Sequence, residues 1–472
     1  MIYRLVPCVT RVQVRGGPAL LSSTPLRVVR INAALASIVD RGGDLVPRSA
    51  GEARALEALH QRSLLSREDG PELPVDRLPT VSVVVPVKER EDEIRRCLES
   101  LGRVRYPHEK LEIVVVDDGS CDESARVALS LGASVVSSGG RGRGPAAARN
   151  RGAAVAEGDI LAFIDSDCTA SEGWLAELVA AFEDQDVVAV GGRVEGMHGA
   201  SSLDRYEAEM SSLCLGKRDR SGQAGNDTFY LPSCNLLVRR REFALALGFR
   251  EELQVGEDVD LTWRLRDRGG KIVYTPRGRI FHEHRNRLGA FLRRRFQYGT
   301  SEGLLHTIHP ERRKKIILPR PLAMATALAA ASFVGRLWWP AAVGAAVLLC
   351  DAARLWIALR RQAVPLGPGQ VLLARLRASA SLVYYVSFHL IRYYGPALVL
   401  LGMLWPRFGV LVASLAVFAG ALDHRVRRPA LRFPAFFGLY MAEHLAYGGG
   451  VFCGCWRQRT FGSYRPVFSA RE

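Results

Sequence analysis

The nine cysteines of this 472-residue chain form no metal-ligand pattern. Cys453 and Cys455 stand closer than the usual zinc spacing, and no second pair completes a site. Scattered, odd-numbered cysteines instead fit a reducing compartment, most of them packed as small hydrophobes. A secretory signal is missing as well: neither Met1 to Thr10 nor the residues after them have the apolar core and small-residue cleavage site of one. No internal repeat stands out, and no low-complexity tract beyond Ala-rich apolar segments. The formal net charge is +16, yet no RNA- or DNA-binding motif accompanies it. Much of that excess is arginine scattered through an apolar C-terminal half, so the basic balance points to a membrane partner and away from nucleic acid. Long uninterrupted apolar runs are scarce too; the best sit at the lower edge of the roughly 17–25 residues that span a bilayer.

Apolar stretches do run over residues 321–358, broken by Arg336 and Asp351, and over 382–404 and 408–422. Arg392 and Arg407 interrupt or flank the later ones. The preferred reading is a pair of helical hairpins crossing the bilayer, with interfacial or re-entrant helices as the alternative. Arg312 to Lys315 precede the first stretch, and Arg425, Arg427 and Arg428 follow the last. By the positive-inside rule both ends then face the cytoplasm at the cell inner membrane. Residues 316–450 are thus read as a membrane-associated helical region and 451–472 as a basic tail. At the other end, residues 1–75 read as a separate small module. Within it, 26–32 predicts a strand entering a helix at 32–39, 52–59 predicts a second amphipathic helix, and 74–79 a linker. That module is too short for catalysis and too apolar for disorder.

Between these regions, over about residues 80–305, three apolar runs end in chemically useful groups. Val81 to Val85 is followed by Pro86, which donates nothing to a sheet ladder and is expected to end the strand. Residues 111–116 run into Asp117, Asp118, Gly119 and Ser120, and Ile160–Ile164 into Asp165, Ser166 and Asp167. Helical spacing of Ile94, Leu98 and Leu101 predicts a crossover helix over Glu91–Leu101. A helix at 123–131, a short strand over Ser134–Ser137, a Gly/Arg-rich loop at 139–144 and a helix bearing Arg149, Asn150 and Gly152 follow in turn. This alternation predicts an α/β fold, a mostly parallel sheet with helices on both faces. Carboxylates just past the carboxyl ends of neighbouring strands lie in the crevice where such sheets bind ligands. The first set suits hydrogen bonds to a base or ribose. The second, one residue apart, suits a hard divalent cation that keeps waters and takes diphosphate oxygens. Together they point to a nucleotide-sugar enzyme.

VSVVVP, VDDGS, GPAAARNRG, FIDSD and VGEDVDLTWRLRDRG, in that order, resemble family 2 glycosyltransferases of the GT-A nucleotide-diphospho-sugar transferase fold over roughly residues 81–303. The resemblance implies a role for each matching residue. Asp118 reads the nucleobase, the backbone of Pro86 and Val87 lines the same pocket, and Arg90 forms part of its wall. Arg149 steadies the base or the diphosphate, whose oxygens suit a guanidinium fork. Asp165 binds the ribose. Asp167 binds a divalent metal, Mg²⁺ or Mn²⁺, that neutralises charge on the departing nucleoside diphosphate. Asp258, second of the pair opening a predicted helix, is the general base. One metal and one base, without a second carboxylate nucleophile, imply inversion of configuration. His282 joins the metal or the diphosphate, with His284 as the alternative.

Plainer readings stand beside these. Asp117 caps a turn; Asp118, Asp165 and Asp167 are solvated loop acids; Asp258 complements a helix macrodipole. Both histidines merely pack, Trp263 is core, and Asn235 fixes a loop.

The N-terminal pattern is similar to a small winged-helix module of the peptide-recognition type. With the core, the run Arg293 to Glu302 and the apolar C-terminal helices, it resembles the branch of family 2 that serves the mycofactocin system. That resemblance implies transfer of glucose from a UDP-sugar to a peptide-derived redox cofactor, building a short β-linked oligosaccharide. The alternative acceptor is a polyprenyl phosphate or other lipid; a catalytically silent membrane scaffold is a third reading, which the full set of carboxylates disfavours. The Gln-x-x-Arg-Trp box of the processive members is missing, which disfavours a long-chain synthase. In that region stand Arg293 to Gly299, either contacting phosphates or an acceptor, or forming a solvated helical face.

Overall fold

The computed structural model describes residues 2–68, 73–140, 142–223, 225 and 227–469. Arg141 of the Gly/Arg-rich loop and residues 470–472 of the expected basic tail lie outside them. The chain forms two compact units, neither continuous in sequence. One combines residues 73–314 with 423–466; the other combines the N-terminal module with 315–422 and the final strand.

The unit holding residues 73–314 is built on an eight-stranded sheet. Its order is Arg220–Gly222, Lys271–Tyr274, Val187–Gly191, Asn235–Arg239, Ile160–Ile164, Val81–Val87, Leu111–Asp117 and Ser134–Ser137. The last four run parallel, as the alternation of strands and helices predicts. Asn235–Arg239 runs antiparallel to both neighbours, which makes the sheet mixed. Side chains alternate between its faces. Val83, Val85 and Val87 share a core with Ile94, Cys97, Leu98 and Leu101 of the helix Glu91–Leu101. Val84, Val114 and Val116 share the opposite core with Ala146 and Ala148 of Pro145–Val155 and Leu261 and Leu265 of Glu257–Asp267. Coverage on both faces is why these strands read as unbroken valine runs.

Pro86 does not end its strand, which continues to Val87 with Pro86 opposite Val116. Pairing with the Ile160–Ile164 strand stops at Val84, so the proline lies where one side of the strand is open and a missing N–H costs no ladder bond there. A second, three-stranded sheet joins Cys168–Ala170, Ile280–His282 and Val194–Gly196, and its register sets Cys168 opposite His282. In the same unit the helices Leu288–Ile308 and Phe433–Arg457 approach until backbones touch. A Cβ on Gly299, Gly303, Gly450 or Gly454 would strike main-chain atoms of the other helix. Most of Phe433–Arg457 falls within residues 316–450, and its small-residue face is occupied by this contact.

In the other unit, Val9–Val14, Gly17–Ser23 and Leu26–Arg30 form an antiparallel sheet, and Ile2–Leu5 pairs with Leu65–Glu68. Two helices start where the sequence places side-chain caps: Asn32 accepts from the Leu35 N–H at 2.8 Å and Ser49 from the Glu52 N–H at 3.1 Å. Val14, Ala19 and Leu21 pack with Val364, in the turn between the helices Trp338–Arg361 and Pro368–Leu404. Those two helices and Pro406–Arg427 are long and apolar enough to cross a membrane, and Arg320–Gly335 is a shorter apolar helix. Asp351, which interrupts the first apolar stretch, pairs with Arg375 of the next helix at 2.5 Å between Oδ2 and Nε.

Candidate active site

Acids at the carboxyl ends of the parallel strands begin a series of charged contacts. The Asp118 N–H donates to the Val87 carbonyl at 2.9 Å, so the first two strand ends are tied together. Its buried carboxylate accepts from Ser138 Oγ at 2.7 Å and from the N–H groups of Arg143 and Gly144, each at 2.9 Å. One side chain thus anchors the Gly/Arg-rich loop. Asp117 accepts the Ser120 N–H at 2.9 Å, the turn-capping geometry of its plainer reading.

The loop leads directly into Pro145–Val155, which carries Arg149 inward. Arg149 Nη1 donates to Glu257 at 2.9 Å and Nη2 to Asp165 at 2.5 Å. The guanidinium lies 5.5 Å from the centre of the Phe249 ring. Burial opposes the charge, but the two carboxylates outweigh it and hold the Arg149 pKa above its ordinary value.

Glu257 opens a helix that follows Gly256, whose φ of +84° is a conformation glycine adopts without strain. Asp258, partly exposed, accepts the N–H groups of Ser233 at 3.2 Å and Val259 at 2.8 Å. Burial, and next the Glu257 charge, push its pKa up to about 7, while those bonds and Arg149 pull the other way. A carboxyl group poised near neutrality is suited to take a proton in a reaction run near that pH. Below it, the fully buried Asp260 accepts from Arg264 at 2.6 Å and meets His309 Nε2 at 2.9 Å, which fixes the helix.

Asp167 is buried and paired with Arg90, and His282 Nε2 lies 3.6 Å from its Oδ1. Burial raises the Asp167 pKa, yet His282, Arg90 and Arg285 outweigh it and hold the group at about 2. Arg90, expected on the wall of the base pocket, sits at the start of Glu91–Leu101 beside this buried acid and supplies its countercharge. His284 stands behind His282, with the two Nδ1 atoms 3.2 Å apart, and turns toward Glu207. Burial first, then His282 and Arg295, push the His284 pKa down to about 3. Cys168 completes a group of three potential ligands with Asp167 and His282. Burial raises its thiol pKa well above the ordinary value, which disfavours the thiolate that metal binding needs. A carboxylate oxygen and an imidazole nitrogen, with further positions left to phosphate and water, fit a divalent cation such as Mg²⁺ or Mn²⁺.

A sequence model described as Glycosyl transferase family 2 matches residues 82–243. Pre-mycofactocin glycosyltransferase of Mycobacterium tuberculosis is 30% identical over 468 residues, 97% of this chain and 96% of that protein. The chain belongs to glycosyl transferase family 2. Its strand and helix arrangement is the GT-A fold, and it is a glycosyltransferase. Glycosyltransferase AglE of Haloferax volcanii is 29% identical over 231 residues, 48% of this chain and 73% of its own. Mannosyltransferase PcManGT from Pyrobaculum calidifontis, solved with GDP-Man and Mn²⁺, is 22% identical and covers 66% of this chain and 90% of its own, with a TM-score of 0.39.

In this family 2 chain the expected residues fall into three linked groups: Asp118 with Pro86 and Val87, Arg149 with Asp165, and Asp167 with Arg90 and His282. Asp258 joins the second group through its neighbour Glu257. Sequence reasoning missed the role of Glu257 as partner of Arg149, 108 residues away, which no local signal could have found. Trp263 is core, donating to the Phe229 carbonyl at 3.2 Å. Asn235 fixes a loop, donating to the carbonyls of Arg193 at 3.1 Å and Gly278 at 2.9 Å. The basic run divides three ways. Arg293 is exposed, Arg295 is buried against Glu207 and Glu443, and Arg294 lies 4.7 Å from the centre of the Tyr298 ring.

Proposed function

We propose that this chain is an inverting, metal-dependent glycosyltransferase that moves glucose from a UDP-sugar to a hydroxyl of premycofactocin, a peptide-derived redox cofactor, building a short β-linked oligosaccharide. The observation that carries this reading is the alignment along nearly the whole of both chains with Pre-mycofactocin glycosyltransferase. The N-terminal module, residues 1–75, is then the part that recognises the peptide-derived acceptor.

Asp258 takes the proton of the acceptor hydroxyl as that oxygen attacks the anomeric carbon. Its position beside Glu257, with a pKa of about 7, supports that role. The bond from the anomeric carbon to the diphosphate breaks on the opposite side, its electron pair staying with the phosphate oxygen, and configuration inverts. Asp118 and the loop it holds frame the nucleobase beside the backbone of Pro86 and Val87. Asp165, oriented by Arg149, binds the ribose. Asp167 and His282 would hold a divalent cation, Mg²⁺ or Mn²⁺, which when bound would supply charge neutralisation for the departing nucleoside diphosphate. Arg90 keeps the Asp167 carboxylate ionised and oriented.

The long apolar helices support attachment to the cell inner membrane with the catalytic unit on the cytoplasmic side, where nucleotide sugars are made. The same helices favour a second reading, in which the chemistry is unchanged and the acceptor is a polyprenyl phosphate or other lipid.

Purified protein with Mn²⁺ or Mg²⁺, a panel of UDP- and GDP-sugars, and either premycofactocin or a polyprenyl phosphate tests both readings by product mass. A hexose increment on premycofactocin that requires the metal supports the first. Transfer only to the lipid replaces it with the second, and an increment unaffected by chelation removes the metal from either.

A further inference from the structure

We infer that the turn joining Trp338–Arg361 to Pro368–Leu404, with the N-terminal module seated on it, forms a basic surface that binds the phosphate headgroups of anionic phospholipids. The inference rests on the long apolar helices being membrane-inserted and names the part of the chain that meets the leaflet surface. Residues 2–39 and 352–422 contain no aspartate or glutamate. These two acid-free stretches meet in the fold. Val14, Ala19 and Leu21 of the module pack against Leu359, Val364 and Leu366. The Arg15 N–H donates to the Gln362 carbonyl at 2.7 Å. Arg377 Nη1 donates to Thr24 Oγ1 at 3.2 Å, across 353 residues of sequence.

The contact collects charge that the protein does not neutralise. Arg15, Arg30, Arg360, Arg361 and Arg377 are exposed and form no ion pair among the described residues. Arg30 Nη2 reaches the Arg15 carbonyl at 3.5 Å, and the Arg360 guanidinium lies 5.3 Å from the centre of the Trp356 ring. Nearby arginines are committed instead: Arg11 to Asp40 and Arg375 to Asp351. The helix macrodipole favours Arg360 and Arg361 in the last turn of Trp338–Arg361. It gives no reason for Arg15 and Arg30 on the sheet of the module, or for Arg377 well inside the next helix.

The surroundings of the arginines identify the anion. Ile357, Leu373 and Leu376, on the same two helices, are exposed as well. A partner must therefore offer negative charge and hydrocarbon side by side, which a phospholipid leaflet does and a nucleic acid does not. Arginine stems lie along apolar surface while their heads stay at the polar boundary. The other two turns of these helices differ. Each carries a single arginine, Arg336 or Arg407, among the exposed Trp338, Trp339 and Trp405. Tryptophans with few arginines suit the far interface, and the arginine excess suits the cytoplasmic leaflet. Each basic residue of such a cluster contributes a factor of about five to the affinity for anionic lipid.

Native mass spectrometry of the purified full chain, titrated with phosphatidylglycerol or phosphatidylcholine of identical acyl chains, tests this. The parent should bind phosphatidylglycerol more tightly. Replacing Arg15, Arg361 and Arg377 together by glutamine should weaken that binding by about fivefold for each arginine removed. Lysine at the same three positions should keep most of it, because the charge is what the headgroup reads. Arg336→Gln combined with Arg407→Gln should bind as the parent does. Equal affinity of the parent for the two lipids, or an unchanged phosphatidylglycerol affinity in the triple glutamine variant, overturns the inference and leaves attachment through the helices standing. A parent chain that takes up neither lipid and stays in solution without detergent overturns the membrane reading itself, and this inference with it.

Discussion

Arg149 donates to Glu257 at 2.9 Å, and Glu257 is the residue immediately before Asp258. The buried cation therefore sits one residue from the proposed base and bears on its ionisation. Arg149 lowers the Asp258 pKa against burial and the Glu257 charge, which raise it. Removing the cation must raise it further. Arg149→Gln is expected to move the acid limb of the kcat/KM profile to higher pH, so that activity at pH 7 falls more than activity at pH 9. Arg149→Lys should shift it less. An acid limb that stays in place would mean another group controls it.

Asp258 itself is expected to trade stability for reactivity. Its folded pKa of about 7 lies above the roughly 3.9 of an unfolded aspartate. Between those values the folded state holds the proton more tightly, so the favourable contribution is complete below about pH 4 and is lost as pH rises through 7. Asp258→Asn removes that loss. Its Tm should exceed the parent's at pH 8 and approach it at pH 5, while kcat falls by about 10²–10⁴-fold and UDP still binds. A variant less stable than the parent at pH 8 would show that the carboxylate is welcome in its site.

These charged contacts mark how far the sequence could be read. Strand ends and their acids were legible because a buried parallel strand is a continuous apolar run, and the acids come directly after it. The helix start at Asn32 was legible because a cap is a local hydrogen bond, whereas the second helix begins at Ala50 behind the Ser49 cap, two residues before the expected 52. Long-range contacts were not. Arg90 lies 77 residues from Asp167, and Arg149 lies 108 from Glu257. Nothing in either neighbourhood names the partner. Asn235–Arg239 enters the sheet antiparallel between two earlier strands, an order that its own side chains do not encode. Phe433–Arg457 lies in the same compact unit as Leu288–Ile308, and the backbone contact between the two helices is a long-range packing feature that composition does not encode.

Asp118 offers a separate test, because its carboxylate takes three hydrogen bonds from residues 138–144. Charge-assisted bonds of this kind are each worth about 1.5–3 kcal/mol. Asp118→Ala should free the loop as well as remove a donor contact. The expected result is a donor KM raised by about 10–100-fold, together with faster amide exchange at Arg143 and Gly144. Ser138→Ala, which removes one bond, should give a smaller change in both. Exchange unchanged in Asp118→Ala would show that the loop holds itself.

Two glycines of one helix are expected to respond in opposite directions to the same substitution. Gly438 has nothing within 4 Å of where a Cβ would sit, whereas a Cβ on Gly450 would meet the Phe296 carbonyl oxygen. In an open helical position, alanine is favoured over glycine by roughly 0.5–1 kcal/mol through backbone entropy. Gly438→Ala should therefore raise Tm slightly. Gly450→Ala gains the same entropy but must push the Leu288–Ile308 backbone away, and forcing atoms into a filled contact costs about 1–3 kcal/mol. Its Tm should fall. Thermal denaturation of the two variants side by side tests this, and equal Tm values for both would refute the backbone contact.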